Sequence, residues 1–466
     1  ATAKAAAAAV PDKFADEDAE EEAKPGGGGG GGAITVGVVP EPPVQLEPPH
    51  GTRDFYPDDM RLQRWLFDHF RRVGGACGFE EYDAPVLERQ ELYKRKAGEE
   101  ITQQMYSFTD KDGEEVTLRP EMTPSLARMV LGRAQSAMLP LKWFSVPQCW
   151  RFETTQRGRK REHYQWNMDI VGVEGVEAEA ELLAAITTFF KRLGITSADV
   201  GIKVSSRKVL QAVLARYQVS EESFAPVCVV VDKIEKLPRE KIVEELAALN
   251  VAEAAIDGIL AAMEMRTIAD LEALLGAESE AVADLRTLFS HAEAYGYGDW
   301  LVFDASVVRG LSYYTGVVFE GFDRKGELRA ICGGGRYDRL LSALGGEDKP
   351  MVGFGFGDAV IMELINDRGL LPESLKSGSV DDIVYPMSAA LRPAAMGIAA
   401  RLRASGRSVD LVLEDGKKAK WAFKHAERAG AKRVVLLGEK EWEAGTVRVK
   451  DLSTREETDV KPADLC

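Results

Sequence analysis

Residues 151–169 read RFETTQRGRKREHYQWNMD, a stretch in which four cations, Arg157, Arg159, Lys160 and Arg161, crowd one short turn. The turn lies between two segments that alternate aromatic and polar residues, the pattern of a β-hairpin. Alternation sends Trp150 and Phe152 one way and Cys149, Arg151 and Glu153 the other. On the return strand Tyr164, Trp166, Met168 and Ile170 form an apolar face, opposite His163, Gln165, Asn167 and Asp169. Burying the apolar faces together brings Arg151, Glu153, Gln165 and Asp169 onto one polar surface. Solvent can satisfy such a surface; a ligand carrying both anionic and cationic groups can do so as well.

The local positive charge is conspicuous because the 466-residue chain carries a formal net charge of -16. An acidic average surface repels phosphate, so a polyanionic partner must be met by local basic patches. A second patch spans Gly416 to Arg433, with seven Lys/Arg against the single acid Glu427; it reads as a solvated helix face or as a contact for nucleic-acid phosphate. Glycines 333–335 and 353, 355 and 357 free backbone for close approach to a ligand, although bulges and tight packing use glycine equally. Five widely spaced cysteines without CxxC spacing indicate neither a disulfide framework nor a zinc site. No run of about 18 apolar residues marks a membrane span.

The positioning elements follow from periodicity. Met60, Leu62, Trp65, Leu66, Phe70 and Val73 recur at helical spacing and the run ends at Gly74-Gly75. The DG turn in DKDGEE predicts a hairpin, and the Gly-spaced strand MVGFGFG leads into a helix. Residues about 174–300 read as mainly helical, interrupted by an apolar strand at APVCVVVDKI. From about 381 to 466, strand–helix alternation predicts a separate α/β domain with parallel strands. Residues 1–50, with seven consecutive glycines and an acidic run, read as a disordered tail. Neither Arg-rich nor acid-poor, that tail is at most the remnant of a cleaved transit peptide.

RFETTQRGRKREHYQWNMD resembles motif 2 of class II aminoacyl-tRNA synthetases, and GFEEYDAPVLE resembles motif 1. LRPEMTPSLAR, VRGLSYYTGVVFE and CGGGRYDRL are similar to segments of the histidyl-tRNA synthetase family, and GFGFGDAV most resembles its plant organellar members. The resemblance covers essentially Gly51 to Leu465. It implies an α+β fold: a class II catalytic domain over 51–375 with an antiparallel sheet flanked by helices, the helical insertion within it, and a C-terminal α/β anticodon-binding domain over 381–466. It implies ATP-dependent histidine–tRNA ligase activity, with ATP, its Mg2+, L-histidine and tRNA-His as partners and no metal caged by the protein. A homodimer through motif 1 around Pro85 and a chloroplast or mitochondrial location, otherwise cytoplasmic, are further implications.

By motif position, Arg151 and Arg309 are the catalytic arginines that face phosphate and carboxylate, for which a planar fork suits better than a lysine. Glu121, Thr123 and Gln165 match the contacts to the α-amino group, while Asp169, Tyr313 and Tyr314 surround the imidazole. Arg151, Glu153, Arg157, Gly355 and Gly357 fall to ATP, and Arg159, Lys160, Lys417, Lys420 and Lys424 to tRNA. Two positions depart from the family. Motif 3 ordinarily ends in Glu-Arg where this chain has Ala359-Val360, and Ser312 replaces an aspartate before the tyrosine pair. The missing arginine shifts the γ-phosphate load onto Arg157, Arg159, Lys160 or Mg2+, so that Arg157→Ala is expected to raise KM for ATP. The rival reading is a noncatalytic histidine-binding regulatory paralogue, which typically lacks the C-terminal domain and tolerates loss of motif arginines. A noncatalytic tRNA-binding scaffold is a third.

Overall fold

The computed structural model describes residues 44–465 apart from 96, 97, 135, 221, 222, 235, 236, 308–312, 376, 377 and 379. Most of the tail, residues 1–43, lies outside the described residues, as does Arg309. A nine-stranded sheet runs in the order Glu80–Glu81, Leu141–Ser145, Glu162–Val171, Met351–Gly357, Cys332–Arg336, Val317–Asp323, Val200–Ser206, Leu301–Phe303, with Gln148–Trp150 paired onto Glu162–Val171. Its inner pairs are antiparallel, and the strand pair at each end is parallel.

One face of this sheet is covered by the helices Pro57–Ala76 and Glu177–Arg192. Phe70 of the first stacks on Trp166 at 4.9 Å between centroids and meets Phe189 of the second at 4.8 Å, so two helices and the central strand share one aromatic core. The glycines expected to end the first helix lie inside it. Gly74 is buried against Phe144, where an added Cβ would come within 2.9 Å of the ring, so close packing rather than helix termination explains it. The buried fork Arg336–Glu179, with bonds of 2.7 and 2.6 Å, ties the second helix to the sheet. On the opposite face lies a smaller cluster containing Leu126, Val130, Tyr313, Tyr314 and Tyr337.

Two expectations are corrected. The apolar run within APVCVVVDKI is not a strand but part of a helix, Phe224–Val231, with Val227, Cys228 and Val231 buried at helical spacing and Val229 exposed. A short apolar run carries no period that separates the two states, and its neighbours, the helices Arg207–Arg216 and Arg239–Ala248, decide for helix. The helical insertion is also narrower than about 174–300. Glu177–Arg192 covers the sheet and Val200–Ser206 belongs to it, which leaves the helices between Arg207 and Tyr295 as the insert.

The C-terminal sheet runs Val409–Leu411, Asp382–Pro386, Arg433–Leu437, Val447–Asp451, Glu457–Val460. Its first three strands are parallel, as the alternation predicts, and the last two add an antiparallel hairpin that the expected all-parallel sheet did not include. Replacing Phe70 by Ala empties the centre of the aromatic core and is expected to cost ~3–5 kcal/mol. The measurement is the shift of the denaturant midpoint, and a loss below about 1 kcal/mol would contradict this account of the core.

Candidate active site

The site forms on the sheet face opposite the aromatic core, and the pairing of two strands builds it. Glu162–Val171 runs antiparallel to Met351–Gly357 with Gly353 opposite Asp169, Gly355 opposite Asn167 and Gly357 opposite Gln165. A Cβ on Gly353 would collide with the Asp169 carboxylate, and one on Gly355 would sit 2.5 Å from Gln165 Nε2. These two glycines therefore make room for polar side chains of the neighbouring strand. Gly355, assigned to ATP by its motif, lies under Gln165, whereas a Cβ on Gly357 would meet nothing within 4 Å.

Asp169 is buried and accepts a bond from the Tyr337 hydroxyl. Burial drives its carboxyl up to about 7, Tyr337 opposes that rise, and Glu121 adds to it. Tyr337 meets Tyr313 edge-on at 5.7 Å, and the Tyr313 hydroxyl donates to Glu121 Oε2 at 2.9 Å. Thr123 opens the helix Thr123–Gly132 close to the Tyr313 hydroxyl, whose strong upward shift by burial and Glu121 it opposes. Tyr314 packs beside Tyr313 at 5.1 Å. Glu121, Thr123, Asp169, Tyr313 and Tyr314, taken from three distant stretches of chain, are thus brought together, with Tyr337 joining Asp169 to Tyr313. Tyr337 was absent from the expected set, although it stands within the CGGGRYDRL segment. Arg119 was also missed: buried, it donates to the carbonyls of Ala84 and Gln148 and to Asp83, pinning the loop that carries Glu121.

The hairpin itself forms with Cys149 opposite His163. Arg151 donates from Nε to the Pro120 carbonyl at 2.9 Å, which holds its guanidinium beside the Glu121 loop. Burial and the nearby Arg151 push His163 down to about 3, so its ring is neutral and the positive charge rests on the arginines.

The cationic turn is not one cluster. Arg157, expected to face ATP, instead bonds Glu363 at 3.0 Å and Asp367 at 2.7 and 2.8 Å. Those acids stand four residues apart on one face of the helix Asp358–Asp367, a spacing that fits the guanidinium fork. Arg159 forms a bidentate pair with Glu153, and Arg161 lies over the Phe152 ring at 3.9 Å while donating to backbone carbonyls. Glu153, expected near adenine, is held below the usual carboxylate range by Arg159 and Arg151, which outweigh its burial. Val360, at the missing motif 3 arginine, is buried, and Gly158 of the turn lies over it. Arg53, also unforeseen, reaches Glu162 at 2.7 Å and Asp358 at 3.0 Å, locking the segment before the first helix to the strand Glu162–Val171 and to the start of the helix Asp358–Asp367.

In the C-terminal domain the helix Ala419–Arg428 buries Ala422 and Ala426 and exposes Lys420 and Lys424 on the other side. Lys417 pairs with Glu414 and lies over Trp421.

A largely antiparallel sheet backed by helices, with an arginine-bearing hairpin beside a glycine-spaced strand that leads into a helix, is the catalytic fold of a class II aminoacyl-tRNA synthetase. The family model described as "Histidyl-tRNA synthetase" matches residues 51–358, and "Anticodon binding domain" matches 382–466. A relative from Arabidopsis thaliana, "Histidine--tRNA ligase, chloroplastic/mitochondrial", is 57% identical over 91% of this chain and 86% of its own. "Histidine--tRNA ligase" from Opitutus terrae is 43% identical over 88% of this chain and 94% of its own. The crystal structure of histidyl-tRNA synthetase from Nostoc sp. superimposes with a TM-score of 0.73 at 25% identity, over 91% of this chain and 98% of the other. The chain belongs to the histidyl-tRNA synthetase family.

The raised Asp169 carboxyl has a measurable sign. Between about pH 4, where an unfolded aspartate titrates, and pH 7 the folded state holds a proton that the unfolded state has lost, so this group's contribution to stability falls as pH rises. Asp169→Asn removes that dependence. The thermal midpoint of the variant relative to the parent protein is expected to climb from pH 5 to pH 8, and a pH-independent difference would refute the assignment.

Proposed function

We propose that this chain is a histidine–tRNA ligase whose histidine and ATP sites are the polar sheet face described above. The observation that supports the assignment of the site is the buried Asp169–Tyr337–Tyr313–Glu121 chain, in which hydroxyl and ring contacts link two buried carboxylates from distant parts of the sequence. Histidine presents an ammonium group at one end and an imidazole N–H at the other, so Glu121, Thr123 and Gln165 suit the first and Asp169 with Tyr313 and Tyr314 the second. A site built to pair both polar ends rejects analogues that leave a buried carboxylate unmatched.

The histidine carboxylate, ionised at neutral pH, attacks the α-phosphorus of ATP; the bond to the β-phosphate oxygen breaks and pyrophosphate leaves. The negative charge developing on the phosphate oxygens is met by Arg151, oriented by the Pro120 carbonyl, and by Arg309, which lies outside the described residues. The 3′-terminal ribose hydroxyl of tRNA-His then attacks the acyl carbon and AMP departs. Mg2+ is read as part of the ATP substrate, carried on its phosphates.

The matched anticodon-binding domain supports the ligase over a regulatory paralogue. Exposed Lys420 and Lys424 are the residues proposed to meet tRNA phosphate. A homodimer through the segment around Pro85 belongs to the same reading, supported by exposed Val86 and Leu87 there, as does an organellar location, supported by the name of the Arabidopsis relative.

The purified protein is expected to catalyse histidine-dependent exchange of pyrophosphate into ATP, which a regulatory paralogue or a tRNA-binding scaffold would not do. Changing Lys420 and Lys424 together to Glu should raise KM for tRNA-His at least about tenfold while leaving exchange intact. Equal loss in both assays would count against a tRNA role for that helix.

A further inference from the structure

We propose that Arg329 grips the β- and γ-phosphates of ATP, taking the place left by Val360; the assignment rests on the ligase reading. The first observation is position. Cys332–Arg336 pairs with Met351–Gly357 so that Cys332 faces Phe356, and the Ile331 N–H just before that ladder donates to the Gly321 carbonyl at 2.8 Å. Arg329 thus immediately precedes the end of the sheet at which Met351–Gly357 gives way to the helix Asp358–Asp367 that carries Val360.

The second observation is what surrounds it. Arg329 lies within electrostatic range of Arg151, Arg159, Glu153, Glu320 and His163, the polar side of the motif 2 hairpin. Three guanidiniums thus converge with two carboxylates, and one of those carboxylates, Glu153, is engaged by Arg159. Partial desolvation, followed by repulsion from Arg159 and Arg151, holds Arg329 below the usual arginine range even though the residue stays exposed to solvent. Such crowding is unfavourable without an anion and is relieved by one.

The third is availability. Arg157 is tied to Glu363 and Asp367 and Val360 is apolar and buried, while Arg329 has no hydrogen bond or ion pair to any described residue. Arg151 is held beside the Glu121 loop, where the carboxylate of histidine must meet the α-phosphate. Arg329 approaches the same hairpin from the segment that leads into Cys332–Arg336, which suits it to the departing phosphates and to the pyrophosphate they become.

In histidine-dependent ATP–pyrophosphate exchange, Arg329→Ala is expected to raise KM for ATP about tenfold or more, the worth of one lost charge-assisted contact, with KM for histidine within about twofold. Inhibition by AMP, which lacks the two outer phosphates, should not change. Arg329→Lys should fall between the two, and Arg329→Gln should reproduce Arg329→Ala if the latter folds poorly. An unmoved KM for ATP, an equal loss for ATP and AMP, or a defect confined to KM for tRNA would overturn the assignment. Absence of exchange in the parent protein would instead overturn the ligase reading, and calorimetric titration of ATP into the parent and Arg329→Ala proteins would still decide whether Arg329 binds the nucleotide.

Discussion

The pairing of Glu162–Val171 with Met351–Gly357 is the constraint on which the rest depends. One register places Trp166 and Met168 in the aromatic core and Gln165 and Asp169 over glycines on the other face. A slip of one residue would exchange the two sets, burying carboxylate among phenylalanines and exposing the core. The apolar side supplies the energy that holds the register, because Phe70, Phe189 and Phe356 pack around Trp166. The polar side uses that rigidity to hold a carboxylate where it would otherwise not remain buried. Site and core are two faces of one strand pair, so the site inherits its precision from hydrophobic packing.

Burial on that face also explains why tyrosines are so common there. A buried carboxylate without a partner is expensive, and a phenol donates a hydrogen bond without adding a charge. Tyr337 does this for Asp169 and Tyr313 for Glu121. The arrangement holds both carboxylates in fixed orientations through hydrogen bonds from neutral phenols.

On the hairpin the acidic character of the chain acts locally. Arg157 and Arg159 are each neutralised by carboxylates from the helix Asp358–Asp367 or from Glu153, so the dense positive charge of RGRKR fastens the turn to its surroundings. Pairing of this kind gives the turn a defined shape at the expense of its attraction for phosphate. Charge density in sequence therefore did not show which cations are already paired, because long cationic side chains reach whichever acid the fold brings near.

Much was legible without coordinates because it depends on local periodicity and on short motifs that must stay contiguous. The alternation of EHYQWNMD shows which of its side chains share a face, and helical spacing locates the Pro57–Ala76 helix to within a few residues. The run FAPVCVVV was not legible, since eight apolar residues suit a buried strand and a buried helix alike. Tyr337, Arg119, Arg53 and Arg329 were not legible either, because the groups they meet lie far away along the chain, from 29 residues for Arg119 and Gln148 to 305 for Arg53 and Asp358. The sequence alone determined the class of fold, the hairpin and its two faces, all properties of neighbours in the chain. Only the tertiary structure decided which cations are neutralised, which glycines make room for side chains of the neighbouring strand, and which arginines gather beside the hairpin, because each depends on distances between segments that no local pattern encodes.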